Sequence, residues 1–183
     1  MTPYVPPRFT ANPLPVPPYN RFRPAGVVKT AEYSSKSPLG AIRNPGSNTA
    51  AQKAGKRFER KLLQRLSDLD CTVKIAPWIQ YQNGALRFCQ PDALLFLPGN
   101  QIVIVEAKLT HTADAYWQLR LLYEPVLRIL YPEACIHVLE ITRSFDPAVA
   151  MPEEMVLFFD YKEFLKHLPS TAQKEVYVLQ WKL

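Results

Sequence analysis

Glycine is scarce in this chain, with six residues among 183, and none belongs to a glycine-rich loop that cradles nucleotide phosphates. This scarcity excludes the common nucleotide-binding loops. Cysteine is also rare, and Cys71, Cys89 and Cys135 are odd in number and lack the spacing of a metal site. Such cysteines are typical of buried thiols in a reducing compartment, so we expect a cytoplasmic protein, of cellular or viral origin.

Long apolar runs are also missing. No run approaches the roughly 18 residues that a helix needs to span a bilayer. The first residues, MTPYVPPRF, lack the apolar centre of a secretory signal. We therefore expect that the protein does not associate with membranes.

Acidic residues are nearly absent from residues 1–50, where Glu32 is the single acid against six Lys and Arg. The same stretch holds ten of the eighteen prolines, which block helix and sheet hydrogen bonds. We predict that residues 1–46 form an extended, Pro-rich basic arm. Two interpretations stay open: a solvated leader, or an arm that lies on a protein partner or on phosphates. The aromatic residues that suit either surface are Tyr4, Phe9, Tyr19, Phe22 and Tyr33.

Residues 47–183 are rich in large apolar side chains and are numerous enough to bury a core. Their patterns predict the order helix, strands, helix, strand, helix, strand, which is an α/β sandwich around a mixed sheet. An Asn83-Gly84 pair predicts a hairpin. The second helix starts after Thr112, and Pro125 should kink it because the amide that would bond to the carbonyl of Leu121 is missing.

The first helix follows a cap at Ser47, Asn48 or Thr49. Glu59 is the only acid in its middle turns, and it projects onto the apolar arc. It is either a partly buried acid that pairs with a basic residue one turn away, or a functional carboxylate. The opposite face is basic and is either plainly solvated or in contact with a DNA backbone. Its residues are Lys53, Lys56, Arg57, Arg60 and Lys61.

Charged residues flank two apolar runs, ALLFL and IVIV, that are separated by a PGN turn. Glu106 and Lys108 are two apart in a strand and so share one face. A hairpin over the turn brings Asp92 opposite Glu106. Two close carboxylates repel each other and are costly to desolvate, and a hard divalent cation relieves that cost more than a lysine does. The pattern predicts a Mg²⁺ or Mn²⁺ site of two carboxylates, a backbone carbonyl and waters.

The motif Pro91-Asp92…Glu106-Ala107-Lys108 resembles the signature of the PD-(D/E)XK nuclease superfamily. This resemblance implies a restriction-endonuclease-like fold, with residues 47–183 as the nuclease-like domain. It also implies that Asp92, Glu106 and the carbonyl of Ala107 bind the ion, while Lys108 positions the attacking water and stabilises charge.

Further residues extend the resemblance, which covers roughly residues 55–130. GKRFERKLLQRL is similar to the first motif of archaeal-type Holliday-junction resolvases, and it implies that Glu59 helps to hold the metal. Gln118 resembles the glutamine of RecB-type members, whose tyrosine follows four residues later; here Leu122 stands at that position and Tyr123 comes next. Gln118 lies on the apolar side of its helix, where a buried amide needs partners such as Lys108 or a water at the metal site.

The predicted function is a metal-dependent DNA nuclease, either a structure-specific endonuclease or an exonuclease. A resolvase would normally be a homodimer that cuts two strands. Lys53, Lys56, Arg57 and Arg60 are predicted DNA contacts, and His111 is either a phosphate contact or an ordinary loop histidine. The alternative is a nuclease-fold assembly or packaging component, of a phage or mobile-element type, whose arm binds a protein partner.

Overall fold

A computed structural model describes residues 4–11, 23–35, 38, 49–149, 151–171 and 173–182. The helices are α1 (Ala50–Ser67), α2 (Ala113–Trp117), α3 (Glu124–Leu130) and α4 (Tyr161–His167). A π-helical segment, Gln118–Tyr123, joins α2 to α3. The strands are β1 (Arg8–Phe9), β2 (Thr30–Tyr33), β3 (Thr72–Ile75), β4 (Ile79–Gln82), β5 (Leu86–Cys89), β6 (Ala93–Leu97), β7 (Gln101–Thr110), β8 (Cys135–Ser144), β9 (Met155–Phe158) and β10 (Val176–Gln180).

The larger sheet is mixed and has seven strands in the order β1-β9-β10-β8-β7-β6-β3. Its four central strands, β7, β8, β10 and β9, are parallel to one another. Strands β6, β3 and β1 are antiparallel to the strands beside them. The α/β class with a central mixed sheet, predicted from the order of elements, is therefore confirmed. None of the described helices is long and apolar enough to cross a membrane.

A smaller sheet of three strands, β2-β4-β5, was not predicted as a separate unit. The hairpin expected around Asn83-Gly84 is present, since β4 and β5 pair antiparallel across it. Gly84 has a φ of 102°, which favours glycine. Strand β3 does not join this hairpin but pairs with β6 in the larger sheet.

Alternate residues of β7 face opposite helical layers. Val103 and Val105 cluster with Phe58 and other apolar residues of α1. Ile104 clusters with Leu127 of α3. Because side chains alternate along a strand, the even-numbered residues further along β7 face the layer of α2 and α3.

The capping prediction for α1 is confirmed at one of its three candidates. The amide of Gln52 donates to Thr49 Oγ1 at 3.2 Å, and the amide of Thr49 donates to Gln52 Oε1 at 2.8 Å. These reciprocal bonds form a capping box, which satisfies backbone donors that the first turn leaves without partners. The other candidates, Ser47 and Asn48, lie outside the described residues.

The helix around Pro125 departs from α-helical geometry just before the proline. The π-helical segment ends at Tyr123. Proline has no amide, so the carbonyl of Leu121 has no helical partner from that residue. This carbonyl instead accepts a hydrogen bond from the amide of Ala25 at 2.7 Å. Pro125, expected only to kink the helix, thus leaves a carbonyl to which the backbone at Ala25 is bonded.

The described parts of the predicted arm belong to the folded protein. Strand β1 pairs with β9, and β2 pairs with β4. Ala25 is fully buried and Val28 is 9% exposed. Neither predicted interpretation of these stretches, a solvated leader or an arm on a partner, included pairing with the protein's own sheets. Tyr19, Phe22 and the predicted boundary after residue 46 lie outside the described residues.

Enlarging Ala25 should therefore destabilise the protein. We expect Ala25→Leu to lower the free energy of unfolding by about 1–3 kcal/mol, because the site is fully packed. Val27 is 84% exposed, so Val27→Leu is the matched control and should change stability by less than about 0.5 kcal/mol. Urea unfolding of both variants measures the difference, and equal stabilities would mean that this segment is not packed in solution.

Candidate active site

Asp92 lies just before β6, beside the far end of β7. Ala93 pairs with Val105 in the antiparallel register. One residue further out, Asp92 comes opposite Glu106, as the predicted hairpin requires. The amide of Ala107 donates a hydrogen bond to Asp92 Oδ2 at 2.7 Å. The hairpin therefore holds one carboxylate directly against the strand that carries the other.

The backbone beside Asp92 is also held in place. The amide of Ala76 donates to the carbonyl of Asp92 at 2.8 Å. Gln90 Nε2 in turn donates to the carbonyl of Ala76 at 2.8 Å. Ala76 has a φ of 42°, in the left-handed region that residues with a side chain seldom adopt. Strain of this kind is often found at functional sites, where the surrounding contacts maintain it.

Lys108 connects the acidic pair to the second helical layer. Its Nζ donates to Glu106 Oε1 at 2.5 Å and to Gln118 Oε1 at 2.6 Å. The Lys108 side chain is 23% exposed, whereas that of Glu106 is 5% exposed. The structure thus brings Glu106, Lys108 and Gln118 together, and Gln118 has the partner that its place on the helix requires.

Both carboxyls of the hairpin resist ionisation. Burial raises the pKa of Asp92 to about 6, and the nearby charge of Glu59 adds to the rise. Burial and the charge of Asp92 raise the pKa of Glu106 to about 7. Lys108 lowers both pKa values without cancelling the rise. Glu106 is buried and Asp92 is half-buried, and two close acids with little solvent are an arrangement that a divalent cation stabilises.

Tyr123, which is 4% exposed, completes the hydrogen-bond network. Gln118 Nε2 donates to the Tyr123 hydroxyl at 3.4 Å, and that hydroxyl donates to the carbonyl of Gln90 at 3.2 Å. A π-helix joins residues five apart, whereas an α-helix joins residues four apart. The π-helical segment therefore places Tyr123 against Gln118, at the position that Leu122 would take in an α-helix.

A divalent cation fits part of this site. Glu106 Oε2 is buried and accepts no hydrogen bond from the described residues, and a buried oxygen of this kind needs a partner. Within the described ranges, no group of three or more His, Cys, Asp and Glu side chains is arranged to hold a metal. Mg²⁺ commonly binds through one or two carboxylates and several waters, so Asp92 and Glu106 suffice for such an ion. Glu59 is half-buried and near enough for its charge to act on Asp92.

A second buried acid lies beside Glu106 and was not predicted. Glu140 of β8 pairs in register with Glu106 and is fully buried. Burial raises the pKa of Glu140, while a hydrogen bond with His111 lowers it. The sequence signal was available, since Glu140 interrupts an apolar strand just as Glu59 interrupts an apolar helix face.

His111, predicted to be either a phosphate contact or an ordinary loop histidine, is buried in the structure. Its side chain is fully buried, and Nδ1 lies 2.6 Å from Glu140 Oε2. The ring also packs against Phe145, with centroids 4.8 Å apart. A phosphate in solvent does not reach this ring in the present conformation, because the side chain is buried between Glu140 and Phe145.

The predicted basic contacts lie on the solvent side of α1. All four are exposed, and they line one shallow pocket of about 350 Å³. The structure thus groups these side chains on one surface. Its residues are Lys53, Lys56, Arg57 and Arg60.

The candidate site can bind a hard cation through carboxylate oxygens, and it presents an ammonium group that can stabilise negative charge. Its parts come from the β6–β7 hairpin, the loop before β6 and the π-helical segment. Comparison with known proteins adds no identity to this arrangement: no family model, no curated protein and no solved structure matches the chain.

Proposed function

We propose that the protein is a divalent-metal-dependent nuclease of the PD-(D/E)XK type, with a restriction-endonuclease-like fold, that hydrolyses phosphodiester bonds in DNA. The observation that carries the proposal is the contact of Asp92 with the Glu106-Ala107-Lys108 strand. Asp92 accepts the amide of Ala107, and Lys108 donates to Glu106. The three charged side chains of the resembled signature are thus linked through two hydrogen bonds on one strand.

The reaction would be an in-line attack of water on phosphorus, with cleavage of a P–O bond to the leaving oxygen. A bound Mg²⁺ or Mn²⁺ would supply Lewis-acid stabilisation of the phosphoryl oxygens. Asp92 and Glu106 would hold that ion, with the Ala107 carbonyl and Glu59 as further predicted ligands. Lys108 would orient the attacking water and stabilise charge in the transition state.

Gln118 and Tyr123 would position Lys108 for this role. Gln118 Oε1 accepts from Lys108 while its Nε2 donates to Tyr123. The π-helical segment supports the resemblance to RecB-type members, because it compensates for the extra residue between Gln118 and Tyr123. A lysine with a fixed hydrogen-bond acceptor stays aimed at one point instead of sampling many rotamers.

The proposal is tested by cleavage assays on four substrates: linear duplex, closed circular duplex, single strands and a four-way junction. We expect cutting with Mg²⁺ or Mn²⁺ that stops when EDTA is added. The preferred substrate would separate a junction-specific endonuclease from an exonuclease, which cannot start on closed circles. A well-folded protein that cuts none of them with either metal would contradict the proposal and favour the assembly or packaging role.

Removing the Tyr123 hydroxyl should slow the reaction without weakening substrate binding. We expect Tyr123→Phe to lower kcat about 10-fold with little change in KM, since Gln118 loses one of the bonds that orient it. Tyr131→Phe is the matched control, because it also removes a tyrosine hydrogen bond, that with Tyr33, outside the network of Lys108. Steady-state kinetics of both variants decide, and equal kcat values would show that Tyr123 has no positioning role.

A further inference from the structure

A second basic feature lies between α1 and the ends of β7 and β8. It is a cleft of about 330 Å³. The pocket lined by the four predicted contacts is a different one, and Arg57 lines both. The cleft is lined by Ala54, Arg57, Phe58, Lys61, Leu109 and Arg143.

Three cations converge on this cleft from two elements. Arg57 and Lys61 are one turn apart on α1, and Arg143 comes from β8. All three side chains are exposed, and none forms an ion pair with another residue in the part of the chain that the structure describes. Like charges one turn apart repel each other, so an anionic partner would relieve an unfavourable arrangement.

The rest of the lining favours a sugar-phosphate chain over a free ion. Phe58 and Leu109 give the cleft an apolar floor beneath the cations. Low-dielectric walls concentrate the field of nearby charges, which strengthens their attraction for anions. An apolar floor between separated cations fits alternating phosphates and sugars.

The cleft is adjacent to the candidate active site. Leu109 directly follows Lys108, and Arg143 directly follows Thr142, the residue that pairs with Lys108 in the sheet. Alternation along each strand turns Leu109 and Arg143 towards α1, while Lys108 faces α2. A nucleic-acid strand that passes over the end of the sheet can therefore contact both the cleft and the candidate active site.

We infer that this cleft binds phosphates of the nucleic-acid strand that flank the cleaved bond, and that Arg143 is a substrate contact which the α1 face alone does not reveal. The inference rests on the proposed function. The basic pocket on α1 adjoins the cleft, since Arg57 lines both. The nucleic-acid strand would therefore run from the end of the sheet along α1.

The test measures DNA binding in a Lys108→Ala background, so that cleavage does not interfere. The probe is a fluorescent duplex, and its dissociation constant is measured by anisotropy at several salt concentrations. The test variant is Arg57→Ala/Lys61→Ala/Arg143→Ala. The matched control removes three exposed lysines that lie outside the predicted arm and do not line the cleft: Lys74, Lys162 and Lys174, each to Ala.

We expect the cleft variant to bind at least about 10-fold more weakly, and its salt slope to fall by about 2 to 3, because each lost phosphate contact contributes about 0.9. The control should retain most of its affinity and slope. Arg143→Ala alone should lower the slope by about 1, and Arg143→Lys should restore it. Binding to vesicles with anionic lipid is measured in parallel. The cleft substitutions should not change it.

The outcomes separate this inference from the proposed function. Cleft and control variants with equal affinity would overturn the inference, even if the wild-type protein cuts DNA. If the cleft variant lost more affinity for vesicles than for DNA, that result would also overturn the inference. Loss of DNA binding only in the cleft variant would support a nucleic-acid contact in the cleft, and if the protein cut no substrate, the proposed function alone would fail.

Discussion

Lys108→Ala is expected to reduce metal-dependent cleavage by at least about 10²–10³-fold, the usual effect of removing a group that stabilises transition-state charge. Lys108 Nζ contacts both Glu106 and Gln118. Its loss removes the one ammonium group that the described site places beside the carboxylates. DNA binding should change little, since the proposed strand contacts lie on α1 and the cleft beside it.

Truncating Lys108 leaves Glu106 buried without its ion-pair partner, and an unpaired buried charge destabilises a protein. The variant therefore needs a control for folding. Lys108→Met keeps the length of the side chain and removes the charge. Lys74→Ala removes a different strand lysine, one that stacks on Tyr33, and should leave cleavage intact. A folded Lys108→Ala protein that cuts at the wild-type rate would contradict the role proposed for Lys108 and with it the PD-(D/E)XK assignment.

The second large effect concerns stability and pH. Without a divalent cation, the protein should lose stability as the pH rises from about 4 to 8. The pKa of Asp92 is raised from 3.8 to about 6, and that of Glu106 from 4.5 to about 7. A raised pKa means that the folded state holds the proton more tightly than the unfolded chain does. The associated stability is therefore present below the unfolded pKa values and is lost as the pH rises through the folded ones.

The loss should amount to several kcal/mol, since one pKa unit corresponds to about 1.4 kcal/mol. Urea unfolding in EDTA at several pH values measures it. Glu106→Gln should flatten the curve, because the amide has no proton to lose. Glu133→Gln replaces an exposed acid and should leave the curve parallel to that of the wild type. Parallel curves for all three proteins would show that Glu106 is not perturbed.

Mg²⁺ should restore much of this stability at pH 8. An ion that binds only the folded state stabilises it by about 2.7 kcal/mol at 100 times its dissociation constant. The effect should be absent in Asp92→Asn and Glu106→Gln and present in Glu133→Gln. Thermal unfolding with and without Mg²⁺ provides this readout without any substrate. A wild-type protein whose unfolding is insensitive to Mg²⁺ and Mn²⁺ would contradict the ligand assignment.

The sequence by itself determined the local parts of the site. Side-chain alternation placed Glu106 and Lys108 on one face, and the PGN turn set the register that brings Asp92 opposite Glu106. The helical period marked Glu59 and Gln118 as polar residues on apolar faces. These relations depend on residues close in the chain, where backbone geometry leaves few alternatives.

Tertiary structure decided the rest, because it depends on contacts between distant parts of the chain. The burial of His111 requires Glu140 from the neighbouring strand. The amide of the buried Ala25 donates to the carbonyl of Leu121, to which Pro125 cannot donate, and no local pattern shows that these two groups will meet. The place of Tyr123 depends on a π-helical turn, which the helical period of the sequence does not indicate.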